Sequence, residues 1–438
     1  MFENIKFLNQ GERKLSKVGL KLLYIGVFLL PTAPLIGSFI LILSLFFSSN
    51  NNPINFIREK ENIIFILVSL LMILSCVYNS LDNANIIQKK IGNLSWISLI
   101  NWLPFFWCYW GFQPYFQNND ARKMLAKILV IGTIPVILSG LLQYFFDITG
   151  PFELFNGLIV WYQRPLSITD GLTGPFNNAN YAGSWLAIVW PFAIYFFVSN
   201  RKISKKMFTT IICLLFIVCL LLTNSRNSWI GMFISVQIMF GFETMFLIIP
   251  LLILSLFLVT FLVSIIPISI KDLIANLLPI NMLNNFPDNS VSLNEAYPRL
   301  EIWKFSIDNI LKRPFFGWGG GSFPLVYETF KDKWIGHPHN IIFEIAFNYG
   351  ILSAILICSK VFQSLNMFYK SIANYEEIHI SRGKNNLIFE KAWFSSILFI
   401  TYSHLFDMQY FDLRISIMSW LLLSGLRASD NLNHNKIT

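Results

Sequence analysis

The chain has 438 residues, of which 55% are hydrophobic and only 13% charged, with a formal net charge of +9. A mean hydropathy of +0.56 excludes a soluble globular protein, and apolar runs that are continuous rather than alternating exclude a β-barrel. The fold class expected is all-α: a polytopic membrane protein with about 12 transmembrane helices and a long extracytoplasmic loop carrying short surface helices.

In chain order, the start, residues 1–17, is polar and basic and reads as a cytoplasmic tail without a cleavable signal. The spans expected are 18–31, 34–48, 63–79, 95–112, 124–146, 180–198, 207–223, 227–242 and 245–267, then 340–358, 391–406 and 414–426. The first two are parted only by Pro31-Thr32-Ala33-Pro34 and could form one re-entrant or kinked unit. This divides the chain into the tail 1–17, nine spans over 18–267, an outer loop 268–339, three spans over 340–426 and a polar tail 427–438 expected to be disordered. Cys76, Cys108, Cys213, Cys219 and Cys358 lie in apolar stretches without metal spacing and read as small buried hydrophobes.

Basic residues set the orientation. With the N-terminus inside, the cytoplasmic side receives Lys14, Lys17, Arg58, Lys60, Arg122, Lys123, the cluster Arg201 to Lys206, Lys360, Lys370, Lys391 and Arg427. The net charge is therefore mostly topology and implies no nucleic acid. Residues 359–390 mix both signs and read as a solvated cytoplasmic connector. Two long segments, 147–179 and 268–339, then fall outside, so that Arg164, Arg226, Arg299 and His339 all sit at the outer membrane boundary.

Within the second segment, Pro298 suits a first helical turn, Leu300, Trp303, Ile307, Ile310 and Leu311 form one apolar stripe, and Lys312-Arg313-Pro314 ends the helix. Arg299 falls in the first turn, where a cation beside free backbone N–H groups makes an anion site.

Each polar residue has a structural reading beside the functional one. Arg226 is either a snorkelling anchor or a phosphate clamp, with Asn224, Ser225, Asn227 and Ser228 as hydrogen-bonding neighbours. His337 and His339 are loop residues, half of a metal site lacking further ligands nearby, or a general base. Gly317 to Gly321 lacks the Lys-Ser/Thr ending of a nucleotide loop and reads as a flexible turn, a hinge that folds the loop back onto the membrane. Gly174 to Asn180 reads as a turn into a span, with Asn180 as helix cap. His404, Asp407, Asp412 and Arg414 at the last outer turn are either ion-paired structure or another wall of the same cavity.

Four pieces in this order resemble the O-antigen ligase and O-antigen polymerase superfamily. They are Arg164 with Gly174-Pro175-Phe176-Asn177-Asn178-Ala179-Asn180, then Asn224-Ser225-Arg226-Asn227-Ser228-Trp229, then Arg299-Leu300-Glu301-Ile302-Trp303 leading to Arg313-Pro314-Phe315-Phe316-Gly317-Trp318-Gly319, and His339-Asn340 followed by Gly350. Two positions depart from the pattern: Asn227 stands where a small residue is usual, and Ser353 replaces the second glycine after Gly350.

The resemblance implies a metal-independent, inverting glycosyltransferase of the bacterial inner membrane, with a periplasmic active face and no cofactor. It would take glycan from an undecaprenyl-diphosphate carrier and join it to a hydroxyl of lipid A–core, a glycan or a protein. Carried over, Arg226, Arg299 and Arg164 would bind the diphosphate and His339 would activate the acceptor, with His337, Asn340 and Asn180 in support. The alternative class is a transporter of a small anion such as bicarbonate. That class calls for ionisable residues at mid-membrane, whereas here the charges gather at one boundary.

Overall fold

The structure, a computed structural model, describes residues 10–49, 54–81, 86–167, 170–246, 298–378 and 384–437. Nearly all of the expected span 245–267 and the first part of the expected outer loop, 268–297, lie outside the described residues. In order, the helices are α1 (Gln10–Leu29), α2 (Pro34–Ser49), α3 (Ile54–Arg58), α4 (Ile63–Leu81), α5 (Ile86–Ser98), α6 (Leu103–Gly111), α7 (Gln113–Phe116) and α8 (Asn119–Phe146). A two-stranded antiparallel hairpin follows, β1 (Phe152–Leu154) and β2 (Ile159–Trp161), with Glu153 opposite Val160. Then come α9 (Ala179–Ser199), α10 (Ile203–Leu222), α11 (Arg226–Phe240), α12 (Pro298–Lys312), α13 (Phe323–Lys331), α14 (Ile341–Tyr349), α15 (Ile351–Ile378), α16 (Lys384–Phe406) and α17 (Leu413–Ile437).

Five helical stretches among the described residues are long and apolar enough to cross a membrane: Lys60–Leu81, Asn119–Phe146, Ala179–Ser199, Ile203–Leu222 and Ile351–Ala373. The protein is a multi-pass α-helical membrane protein. Its axis is α9, buried from Ala182 to Tyr195, against which α8, α10, α11 and α16 pack. Lipid supplies no hydrophobic drive between helices, so close packing and inter-helix hydrogen bonds hold them. Trp185 donates to Thr133 of α8 at 3.0 Å, and Ser396 of α16 donates to the Ile188 carbonyl at 2.7 Å.

The first two expected spans, 18–31 and 34–48, are two helices, α1 and α2, antiparallel and fastened by Ser44 Oγ donating to the Gly19 carbonyl at 2.8 Å. Other expected spans are corrected. The span 95–112 is broken at Trp102, where a short 3-10 turn ends and Pro104 starts α6, because proline cannot donate to the preceding turn. The span 340–358 is broken at Gly350, whose φ of +89° no side-chain-bearing residue adopts easily. A Cβ there would lie 2.0 Å from the Phe315 carbonyl oxygen, and the freed N–H of Ile351 goes to the Pro314 carbonyl at 2.8 Å. The connector 359–390 is largely the continuation of α15, and α17 runs through the expected tail to Ile437.

The glycine cluster is no loose hinge. Trp318 N–H donates to the Phe347 carbonyl at 2.8 Å and Gly319 N–H to the Asn348 carbonyl at 3.0 Å, so the loop is stitched to the end of α14. α12 has the bounds its capping residues predict, but only part of its stripe faces the interior: Leu300, Ile307 and Leu311 are exposed and Trp303 is half-buried, while Ile310 is buried with Ile302, Phe305, Ser306 and Asn309. An apolar stripe marks the face turned from water, which in a membrane protein need not be the protein interior. Ser306 and Asn309 are affordable inside because each donates to a carbonyl one turn back.

Candidate functional site

One end of the bundle gathers the loops 147–178, 223–225, 332–340 and 407–412. His339 lies at its centre, held in the left-handed region (φ 54°) between Pro338 and Asn340. Neighbours on both sides impose this conformation. The Trp303 indole of α12 donates to the Pro338 carbonyl at 3.0 Å. Asn340 accepts from Ile342 and Phe343 N–H as the cap of α14, and its amide donates to the Leu405 carbonyl of α16 at 2.9 Å. The supporting role expected for Asn340 is thus that of a cap and clamp.

The tertiary contact at the centre of the site is with Asp407. Its Oδ1 is 3.0 Å from His339 Nδ1 and accepts the Met408 N–H, while Oδ2 accepts from Asn180 at 3.0 Å and Gln409 at 3.2 Å. Burial by itself would raise the Asp407 carboxyl pKa. The hydrogen bond and charge of His339, with Arg299 and His337 nearby, outweigh it and hold the pKa below its ordinary value. An ionised carboxylate only accepts, so Nδ1 of His339 is the donor in this contact, and in the neutral imidazole Nε2 is then the proton acceptor.

His337 stacks edge-on to His339 at 4.4 Å between centroids, and its Nδ1 accepts the His339 N–H at 3.2 Å. Burial, then the charges of His339 and Arg299, push its pKa down to about 4, so it is neutral near pH 7. Asn180 is corrected: the cap of α9 is Asn178, which accepts the Asn180 N–H at 2.7 Å, and this frees the Asn180 amide for Asp407.

Arg226 opens α11 and is exposed. Gly183 lets this corner approach α9, since a Cβ there would lie 2.6 Å from Ser228 Oγ. The next residue, Asn227, donates to the Ser403 carbonyl at 3.4 Å, one turn before Asp407. Arg299, also exposed, lies near enough for its charge to act on both His337 and Asp407. Neither arginine forms an ion pair among the described residues. Arg164 stands apart from the dyad, exposed beside Asp170, whose carboxyl is held low by Ser167 hydrogen bonds and, more weakly, by Arg164 itself. The segment is tied to the corner before Arg226 by the Asn224 amide on the Asp170 carbonyl at 3.4 Å and by the Leu172 N–H on the Leu222 carbonyl at 2.8 Å.

The alternatives for the last turn divide. Asp412 and Arg414 are ion-paired structure, with a two-point contact at 2.8 and 2.6 Å and the guanidinium 3.7 Å over the Phe176 ring. Asp407, 68 residues beyond His339, belongs to the site. Its weak sequence signal was a carboxylate at the end of a span. No group of three or more His, Cys, Asp or Glu able to hold a metal ion occurs among the described residues. The arrangement offers a polarised imidazole and two guanidinium groups that have no ion-pair partner among the described residues, suited to proton abstraction beside an anion.

The family described as O-antigen ligase matches residues 209–358, a window that contains Arg226, Arg299, His337, His339 and Asn340 but not Arg164, Asn180 or Asp407. The match supports the O-antigen ligase and polymerase superfamily. A comparison with curated proteins found no match.

Proposed function

Starting from the match of residues 209–358 to the O-antigen ligase family, we propose that the protein is a glycosyltransferase that joins a lipid-linked glycan to an acceptor hydroxyl. The donor is a glycan on undecaprenyl diphosphate, and the acceptor is a hydroxyl of lipid A–core, a growing glycan or a protein. Reaction occurs at the outer face of the bacterial inner membrane. The observation that carries the reading is the 3.0 Å contact between His339 Nδ1 and the Asp407 carboxylate, beside two exposed arginines without ion-pair partners among the described residues.

In the proposed reaction, Nε2 of His339 takes the proton of the acceptor hydroxyl as its oxygen attacks the anomeric carbon. The bond from that carbon to the diphosphate oxygen breaks, and the diphosphate leaves with the electron pair. A single displacement of this kind inverts the anomeric centre. Arg226 and Arg299 stabilise the charge that builds on the leaving group, a task for guanidinium because it binds phosphate at two points and keeps its charge. Arg164 is assigned to the same carrier more peripherally, at its headgroup. Asp407 and Asn180 are positioning residues, acting through His339.

The test is transfer in vesicles that contain the purified protein, an undecaprenyl-diphosphate-linked glycan and a candidate acceptor. His339→Ala is expected to insert and fold yet transfer nothing above background. Normal transfer by that variant sinks the mechanism.

A further inference from the structure

Beside the dyad lies a second feature that glycan transfer does not by itself require. A half-open cavity of about 370 Å³ sits between the start of α9, the β1–β2 hairpin, the start of α2 and the turn into α17. That volume is at the lower end of the roughly 300–1,000 Å³ of small-molecule sites. The cavity shares walls with the dyad. Tyr181 lines it and directly follows Asn180, which holds Asp407. Phe411 lines it and lies 6.2 Å, centroid to centroid, from the His337 ring.

Three aromatic rings, Tyr162, Tyr181 and Phe411, meet polar groups from Asn177, Asp412 and Arg414 around this space. The Asn177 Oδ1 atom is buried and has no hydrogen-bond partner among the described residues. A buried amide oxygen left without a donor is costly, and turning the Asn177 amide towards the cavity that its side chain lines gives that oxygen a donor in a ligand hydroxyl. The cavity is not an anion site, because Arg414 spends its guanidinium on Asp412 and on the Pro31 and Pro175 carbonyls. Leu35, Leu158, Val160 and Leu413 also line it, but a plain hydrocarbon chain would leave the Asn177 amide without a polar partner. Aromatic faces for C–H groups, acceptors for hydroxyls and no uncompensated charge together describe a neutral polyol ring.

We propose that this cavity is a saccharide subsite that seats one pyranose ring of the glycan being joined at the dyad. The assignment rests on the glycan-transfer reading above for which glycan it serves, but the binding it asserts can be measured without transfer. The ring belongs either to the donor, next to its diphosphate, or to the acceptor.

The experiment is saturation-transfer NMR on the full-length protein in nanodiscs. One set of probes is the methyl glycosides of glucose, galactose, mannose, rhamnose and N-acetylglucosamine, and the other is the corresponding 1-phosphates. Saturation is expected at the ring protons of at least one sugar. Asn177→Ala and Tyr181→Phe are expected to weaken that binding roughly three- to tenfold each, the worth of one hydrogen bond. Leu158→Trp, at the exposed hairpin tip where folding is least at risk, is expected to block it. Preference for the 1-phosphates assigns the donor ring and preference for the methyl glycosides the acceptor ring. No saturation of any probe, or saturation unchanged in all three variants, overturns the proposal. His339→Ala serves as the control: sugar binding retained while glycan transfer is also retained leaves the subsite standing and removes the transfer mechanism instead.

Discussion

The two ends of the bundle use the same kinds of charged residue in opposite ways. At one end Arg122 is buried and makes a two-point contact with Glu390 at 2.7 and 2.6 Å. There also Lys360 pairs with Glu61, and Arg427 donates to Glu59 at 2.7 Å and Asn62 at 2.9 Å. Three cations from α8, α15 and α17 thus each find a carboxylate on another segment, and together they tie the segment around Glu59, and the start of α16, to the bundle. At the other end Asp412 and Arg414 also pair, but Arg226 and Arg299 are exposed without an ion pair among the described residues, and the Asp407 carboxylate is engaged by a histidine. A cation already paired is part of the scaffold, because its charge and donors are used. A cation held at a helix start without a carboxylate is available to an anion from outside.

Variants can break this comparison, and the largest effect on transfer belongs to His339→Ala. Loss of a positioned general base is expected to slow turnover by about 10²- to 10⁴-fold, measured as glycan transferred per folded protein. Asp407→Asn keeps the base but no longer enforces its tautomer, so a smaller fall, on the order of 10²-fold, is expected. That fall should appear in kcat with the donor KM unchanged, and Asp407→Glu should recover part of it. A shift confined to KM would mean that Asp407 binds substrate rather than orienting His339.

Arg226→Ala and Arg299→Ala each remove charge-assisted hydrogen bonds to the donor. Roughly tenfold loss of kcat/KM is expected for each, with added salt reducing the difference from the parent protein. At the opposite end the ranking reverses. Arg122→Ala removes the buried member of its pair with half-buried Glu390 and is expected to cost roughly 1–3 kcal/mol of stability, seen as a lower unfolding midpoint, while turnover per folded molecule stays unchanged.

The smallest effect is a pH dependence of stability at His337. His337 has its pKa lowered from 6.5 to about 4 on folding, so between those values the unfolded chain binds more protons than the folded one. Stability therefore falls as pH drops from 6.5 towards 4. His337→Gln is expected to flatten that slope, read from unfolding midpoints across the same window. An unchanged slope would show that His337 is not held neutral by its surroundings.

The membrane class, the bounds of α12 and the candidacy of Arg226, Arg299 and His339 were legible in the sequence, each for a local reason. Apolar run length reports on the bilayer, Pro298 and Lys312-Arg313-Pro314 are helix punctuation, and a cation or imidazole next to a span is costly enough to stand out. What only the tertiary structure decided are relations between distant segments. Nothing local distinguishes Asp407 from Asp412, two carboxylates in one turn, until the first meets His339 and Asn180 and the second meets Arg414. The break at Gly350 follows from a backbone crossing at Phe315, and the exposure of Leu300, Ile307 and Leu311 from the packing of Phe305, on the other face of α12, against Tyr327 of α13. Hydropathy measures transfer into an apolar medium, in which lipid and protein interior look alike, so it finds the helices and the costly residues between them. Which partner satisfies each buried polar group depends on packing across the chain, and that choice made His339 and Asp407 a pair.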